Sequence, residues 1–141
     1  MVAMQVREVV AGVVTDGERI CLVHRSMSVT SDPGLWHCVT GYRQPGVSPR
    51  QQLLTELNEE LKLRPDDIVA VKSGAPLRLA DAGALWIVHC FTVVVGSGDF
   101  RLNWENDRFA WVALDSPFAA SYPAVTWLPD VLRSLGYGNG V

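Results

Sequence analysis

Cysteine is scarce in this chain, and the few present are badly placed for chemistry. Cys21, Cys38 and Cys90 are odd in number, widely spaced and each set in an apolar run. They form neither a disulfide framework nor a C-x-x-C motif, and they read as buried thiols. His37-Cys38 and His89-Cys90 stand side by side, but neighbours on a strand face opposite ways, so neither pair can chelate a metal together. His24 closes a strand pattern and reads as a strand-end residue. Charge is also sparse: 15 Asp plus Glu against 12 Lys plus Arg leave a formal charge of -3. The balance lacks the basic stripe by which a nucleic-acid-binding domain displaces counterions, so no duplex nucleic acid partner is expected. Long apolar runs are missing too. The stretch 84–95 falls far short of the roughly 20 residues a membrane span needs, and the N-terminus has no basic-then-apolar leader pattern, so a cytoplasmic protein with no membrane partner is expected. There is no internal repeat, low-complexity tract or linker. A length of 141 residues fits one domain, expected over residues 1–136, with the glycine-bearing end 137–141 as a flexible C-terminal tail.

What is present begins with sheet. Val6 to Val14 is β-branched and apolar, Asp16-Gly17 is a turn dipeptide, and Arg19 to Arg25 is strand-like again, so the chain opens as a hairpin. Residues 26–35 gather Ser, Thr, Asp, Pro and Gly and read as an exposed loop bordering a site; Trp36 to Thr40 resumes strand character before Gly41. Further strands are expected at 66–79, 84–95, Phe100 to Trp104 and Phe109 to Leu114. Asp115-Ser116-Pro117 suits a short helical turn, and Pro123 to Leu135 spaces Val125, Leu128, Val131, Leu132 and Leu135 along one helical face around Pro129.

Between Gly46 and Pro65 the period changes. Ser48, Pro49 and Gln51 make a capping box with proline at the first helical position, so a helix begins at Pro49, and Pro65 stops it near Leu63. Leu53, Leu54, Leu57 and Leu61 share the face that packs on a sheet. Glu56, Glu59 and Glu60, at i, i+3 and i+4, crowd the neighbouring face toward the helix C-terminus, where both mutual repulsion and the helix dipole oppose them. A divalent cation reverses that sign, because hard ions seek carboxylate oxygens. The competing reading is a solvated acidic face with Glu60 paired to Arg64.

The run Gly41 to Leu63, GYRQPGVSPRQQLLTELNEELKL, resembles the Nudix box of the MutT-like hydrolases, G-x5-E-x7-R-E-U-x-E-E-x-G-U with U a bulky aliphatic residue. It aligns without a gap, and Gly41, Glu56, Leu57, Glu59, Glu60 and Leu63 match. Val47, Thr55 and Lys62 stand where the box has glutamate, arginine and glycine, so the box is degenerate. A helix ending through Pro65 does without the glycine. Thr55 cannot offer the bidentate pairing by which the family arginine orients the carboxylates, and Val47 removes an accessory negative charge. Beyond the box the resemblance covers nearly the whole chain, through the opening hairpin, the Trp-containing strand, W-E-N-D-R-F-A-W-V and a terminal helix. Trp36 to Gly41 is similar to the W-x-x-V-T-G of dihydroneopterin-triphosphate and related pyrophosphatases.

The resemblance implies an α+β fold, a Nudix-type α/β/α sandwich with a mixed central sheet. It also implies metal-dependent hydrolysis of a pyrophosphate bond in a small nucleotide-like diphosphate. Mg²⁺ or Mn²⁺ would be held by Glu56, Glu59 and Glu60; Glu56, Glu59 and Glu105, the last in the loop before a late tryptophan strand, are the candidate bases. Gly41 and Arg43 are candidates for contacting the substrate, Arg43 at a phosphate, and Trp36, Tyr42 and Phe109 for stacking a base. The alternative carried with this reading is a Nudix-fold domain that has lost turnover and binds a ligand or protein. A homodimer is left open.

Overall fold

The computed structural model describes residues 4–113 and 121–137. The strands are β1 (Gln5–Thr15), β2 (Arg19–Arg25), β3 (Trp36–His37), β4 (Val39–Tyr42), β5 (Ile68–Ser73), β6 (Leu77–Asp81), β7 (Ala84–Val95) and β8 (Asn106–Ala113). Two helices accompany them, α1 (Pro49–Leu61) and α2 (Leu128–Ser134), with a 3-10 turn at Pro65–Asp67. All eight strands join one mixed sheet, in which β1 runs parallel to β7 and every other pairing is antiparallel. β1 is the hub: it pairs with β7 along its whole length, with β2 through the Asp16-Gly17 turn, and with β4 at Val9–Gly12.

Alternation along the two central strands divides the core. Val9, Ala11 and Val13 of β1, with Val88 and Cys90 of β7, pack under Leu128, Val131 and Leu132 of α2. Val10 and Val14, with Phe91, Val93 and Val95, pack under Leu53, Leu57 and Leu61 of α1. A strand buried on both faces reads as a continuous apolar run, as Val9 to Val14 does. The outcome is the α/β/α sandwich the sequence leads one to expect. Gly12 lets α1 sit close, since a Cβ there would lie 2.5 Å from a Leu53 methyl carbon.

α1 begins as its cap foretells: Ser48 Oγ accepts from the Gln51 N–H at 3.2 Å, and Gln51 Oε1 accepts from the Ser48 N–H. Its end differs from expectation. The helix stops at Leu61, and Lys62 takes the left-handed conformation (φ 59°), with its N–H turned to the Asn58 carbonyl and the Leu63 N–H to that of Leu57. Lysine thus adopts the backbone shape that glycine adopts at lower cost, and the chain leaves the helix at Lys62, three residues before Pro65. Elsewhere, residues 66–79 are not one strand but the 3-10 turn plus β5 and β6, divided at Gly74-Ala75-Pro76. Phe100 to Trp104 is irregular chain whose Phe100 and Leu102 pack against the α1-side core. β8 starts earlier than expected, at Asn106, because it follows β2 as an antiparallel neighbour. Pro129 lies in the first turn of a shorter α2, where its missing N–H costs nothing. Asp115-Ser116-Pro117 lies outside the described residues, as do 138–141. Tyr137, assigned to the tail, donates its N–H to the Leu132 carbonyl at 2.8 Å and packs on the α2-side core.

Candidate active site

The three box glutamates part company once α1 is docked. Glu56 and Glu60 turn inward and are buried at 9% and 3% exposure, while Glu59 stays exposed. Glu56 occupies the space a side chain at Gly41 would need: a Cβ on Gly41 would lie 2.1 Å from the Glu56 carboxyl carbon. This gives Gly41 of β4 a physical reason to be glycine. Gln52, one turn earlier on α1, donates from Nε2 to Glu56 Oε1 at 3.0 Å. Glu60 Oε1 accepts from Asn106 Nδ2 of β8 at 3.0 Å, so the pairing with Arg64 that the competing reading calls for does not form; Arg64 lies against Asp67 instead. Glu60 Oε2 is buried with no partner.

Burial raises the Glu56 carboxyl to about 7; the Gln52 hydrogen bond opposes this, and the charges of Glu59 and Glu105 add to it. Burial also drives Glu60 well above the usual carboxylate range, helped by the charges of Glu105 and Glu56. Glu105, half-exposed in the turn before β8, therefore belongs to the same electrostatic cluster as the two helix carboxylates. Its backbone carbonyl accepts from the Ser26 N–H at 2.8 Å, and its Oε1 accepts from Asn103 Nδ2 at 3.2 Å.

A cavity of about 340 Å³ opens beside this cluster, and Gly41 and Glu105 form part of its wall. Aromatic groups line it from two sides, Tyr42 with Trp86 and Trp127 with His37. His37 is fully enclosed and meets Trp127 edge to face at 4.5 Å, and neither of its ring nitrogens has a partner. Burial, with Arg25 nearby, pushes the imidazole down to about 3, so it is neutral. Arg25 also lines the cavity, its guanidinium held by the Ser31 carbonyl and hydroxyl at 2.9 and 3.1 Å.

Gly41 and Tyr42 thus meet the cavity, whereas Arg43, Trp36 and Phe109 are not among its lining residues. Arg43 is committed elsewhere, donating to Glu8 Oε2 at 2.6 Å and to the Val47 carbonyl at 3.0 Å. Trp36 packs in the α2-side core against His24 and Tyr122. Phe109 packs on the α1 face with Phe100. Thr55 is exposed and donates to the Gln51 carbonyl of its own helix, so it touches no box carboxylate. The residues sequence reasoning missed are Arg25, His37, Gln52, Trp86, Asn106 and Trp127. Only Gln52 carried a local signal, its i, i+4 spacing to Glu56. All three cysteines are free and buried; burial pushes the Cys21 thiol up to about 12 and those of Cys38 and Cys90 upward too, which makes them inert. Cys38 falls in the break between β3 and β4, so strand alternation does not govern it.

Oxygen-only donors, mutual repulsion and an orphaned buried carboxylate oxygen are the chemistry a hard divalent cation satisfies. Among the described residues, no group of three or more His, Cys, Asp or Glu side chains already converges on one point as a finished metal cage. No helix among them is long and apolar enough to cross a membrane.

A family comparison matches the NUDIX domain over residues 5–135, and the chain belongs to that family. Among solved structures, E. coli ORF135 in solution is 26% identical, with 94% of this chain and 89% of that one covered at a TM-score of 0.70. The MutT NUDIX hydrolase of Burkholderia pseudomallei is 20% identical, covering 93% and 98% at 0.76. The NUDIX domain of Shewanella oneidensis NrtR, solved with ADP ribose, is 16% identical, covering 96% and 88% at 0.71. A search of curated proteins returns no match. Membership supports hydrolysis of pyrophosphate bonds in nucleotide-like compounds as the general activity of the fold.

Proposed function

We propose that this chain is a divalent-metal-dependent pyrophosphohydrolase of a small nucleotide-like diphosphate. The observation that carries it is Glu60: almost fully buried, left with one unpartnered oxygen, and held in the field of Glu56 and of Glu105, which lines a cavity of ligand size. Glu56 and Glu60 would hold Mg²⁺ or Mn²⁺, with Glu59 completing the set from the exposed side of α1. The ion would supply charge neutralisation on the phosphate oxygens and lower the barrier to attack by water.

The remaining work falls to this chain's own groups. Arg25 is the cation of the cavity wall and meets the phosphate charge, a role that Arg43, occupied by Glu8, does not fill. Tyr42, Trp86 and Trp127 suit a flat ring such as a base, and the neutral His37 carries one unpaired donor and one unpaired acceptor in the same wall. Of the clustered glutamates, Glu105 is the one that lines the cavity, while Glu56 and Glu60 are turned into the protein, and we assign it the proton of the attacking water. The ADP ribose carried by the NrtR domain supports the choice of ligand class.

A second reading, a domain that binds such a ligand without turnover, draws on the exposed Thr55 and on the absence, among the described residues, of a finished cage. The deciding experiment measures phosphate or pyrophosphate release with Mg²⁺ or Mn²⁺ across nucleoside triphosphates, dinucleoside polyphosphates, ADP ribose, nucleotide sugars and dihydroneopterin triphosphate. Turnover that needs metal and disappears in Glu60→Gln establishes the hydrolase. Ligand binding without turnover in any metal establishes the second reading.

A further inference from the structure

Gln52 is 4% exposed, and both ends of its amide are used. Oε1 accepts from the backbone N–H of Gln44 at 3.0 Å, and Nε2 donates to Glu56 Oε1 at 3.0 Å. The loop that carries Gln44 is itself fastened to β1, because Arg43 bonds both Glu8 and the Val47 carbonyl, and Glu8 Oε1 lies 2.9 Å from His89 Nε2. Gln52 therefore joins a loop tied to β1 to one oxygen of a box carboxylate. Thr55 is spent on its own helix and contributes nothing to this orientation. The Glu56 head group fills the space that a side chain at Gly41 would take.

We propose that Gln52 is the positioning residue of Glu56: anchored on Gln44, its amide fixes the Glu56 carboxylate in the Gly41 niche and so determines which oxygen faces a cation. This rests on the metal-dependent reading above. An amide differs from a guanidinium in a way that matters here. It orients without adding a fixed positive charge, so the carboxylate keeps its full attraction for a divalent ion. Within the same cluster, Asn106 treats Glu60 alike, donating a neutral N–H to one oxygen.

A merely structural role, tying Gln44 to α1, makes a different forecast from a positioning role. At pH 8, where its carboxylate is ionised, Gln52→Glu keeps an oxygen that accepts from Gln44 but has no proton to donate to Glu56; Gln52→Met loses both bonds at similar volume. Mn²⁺ binding to the full chain, measured by calorimetry without substrate, is expected to weaken about 10- to 100-fold in both variants. The Mn²⁺ concentration giving half-maximal turnover should rise by the same factor, with KM for the organic substrate unchanged. Circular dichroism reports whether each variant is folded, and Gln52→Glu decides the matter if Gln52→Met is not. Wild-type affinity in folded Gln52→Glu overturns the inference and leaves the functional reading standing. Absence of Mn²⁺ binding in the wild type overturns both, and shows itself before any variant is made.

Discussion

Removing the charge at Glu56 should change how stability depends on pH, and the size of the change follows from burial. The Glu56 carboxyl moves from an ordinary 4.5 to about 7 on folding. A carboxyl raised in this way stabilises the native state fully below pH 4.5, and that contribution is lost as pH climbs through about 7. Between pH 5 and pH 8 the loss is about 2.5 kcal/mol, at 1.36 kcal/mol per pKa unit. The wild-type curve hides it, because His37 works the other way. Its imidazole falls from 6.5 to about 3 on folding, so its burial destabilises the native state increasingly as pH drops below 6.5, by about 2 kcal/mol at pH 5. The two nearly cancel. Subtracting wild type from Glu56→Gln removes the His37 contribution and isolates the carboxyl. The glutamine keeps an oxygen to accept from Gln52, and Glu60, raised partly by the Glu56 charge, shifts the result in the same direction. Thermal unfolding followed by tryptophan fluorescence, with chelator present, should show Glu56→Gln gaining about 2.5 kcal/mol on wild type from pH 5 to pH 8. For a chain of this size that is roughly 8 °C in Tm. A difference flat across that range, or one favouring the wild type at pH 8, refutes the burial of Glu56 as described.

Three further outcomes are expected. Lys62→Gly relieves a left-handed lysine and should raise stability by about 0.5–1 kcal/mol in urea unfolding, with activity unchanged. Gly41→Ala places a methyl group on the Glu56 carboxyl, so about 1–3 kcal/mol of stability and most metal affinity should go together, read by unfolding and by metal titration of the same sample. His37→Leu removes an imidazole whose nitrogens have no protein partner, so stability should hold or rise while KM for the preferred substrate increases about 10-fold with kcat little changed; an unchanged KM denies His37 its place in recognition.

Local chemistry made part of the fold legible. β2 and β7 occupy the residues expected of them because short apolar runs there are bounded by turn residues, and α1 starts at its cap. Where tertiary partners override propensity, the sequence misleads. Asn106, Asp107 and Arg108 are poor strand formers, yet they lie in β8 because β2 runs beside them. At the site, the helix supplied its own signal in the spacing of Glu56, Glu59 and Glu60. What surrounds them comes from β2, β3, β6–β7 and β8, brought together only by sheet order, so Arg25, His37, Trp86 and Asn106 had no shared pattern to read. Arg43 misled for the same reason: its partner Glu8 becomes a neighbour through the β1–β4 pairing, 35 residues away. Lys62 shows the reverse case, a residue of the wrong type holding the right backbone shape.

The parallel pairing of β1 with β7 bears on how the chain is made. Gln5 meets Ala84 and Thr15 meets Val94, so β1 leaves the ribosome well ahead of β7 and waits for it before its longest ladder can form. Until then β2 and β4 offer it only partial cover, and one edge of the Val9 to Val14 run stands bare. Such long-range closure is slow, and the waiting chain is sticky. A polypeptide ended after Gly83 would stay in that state for good, with its most apolar strand open to any other chain that met it.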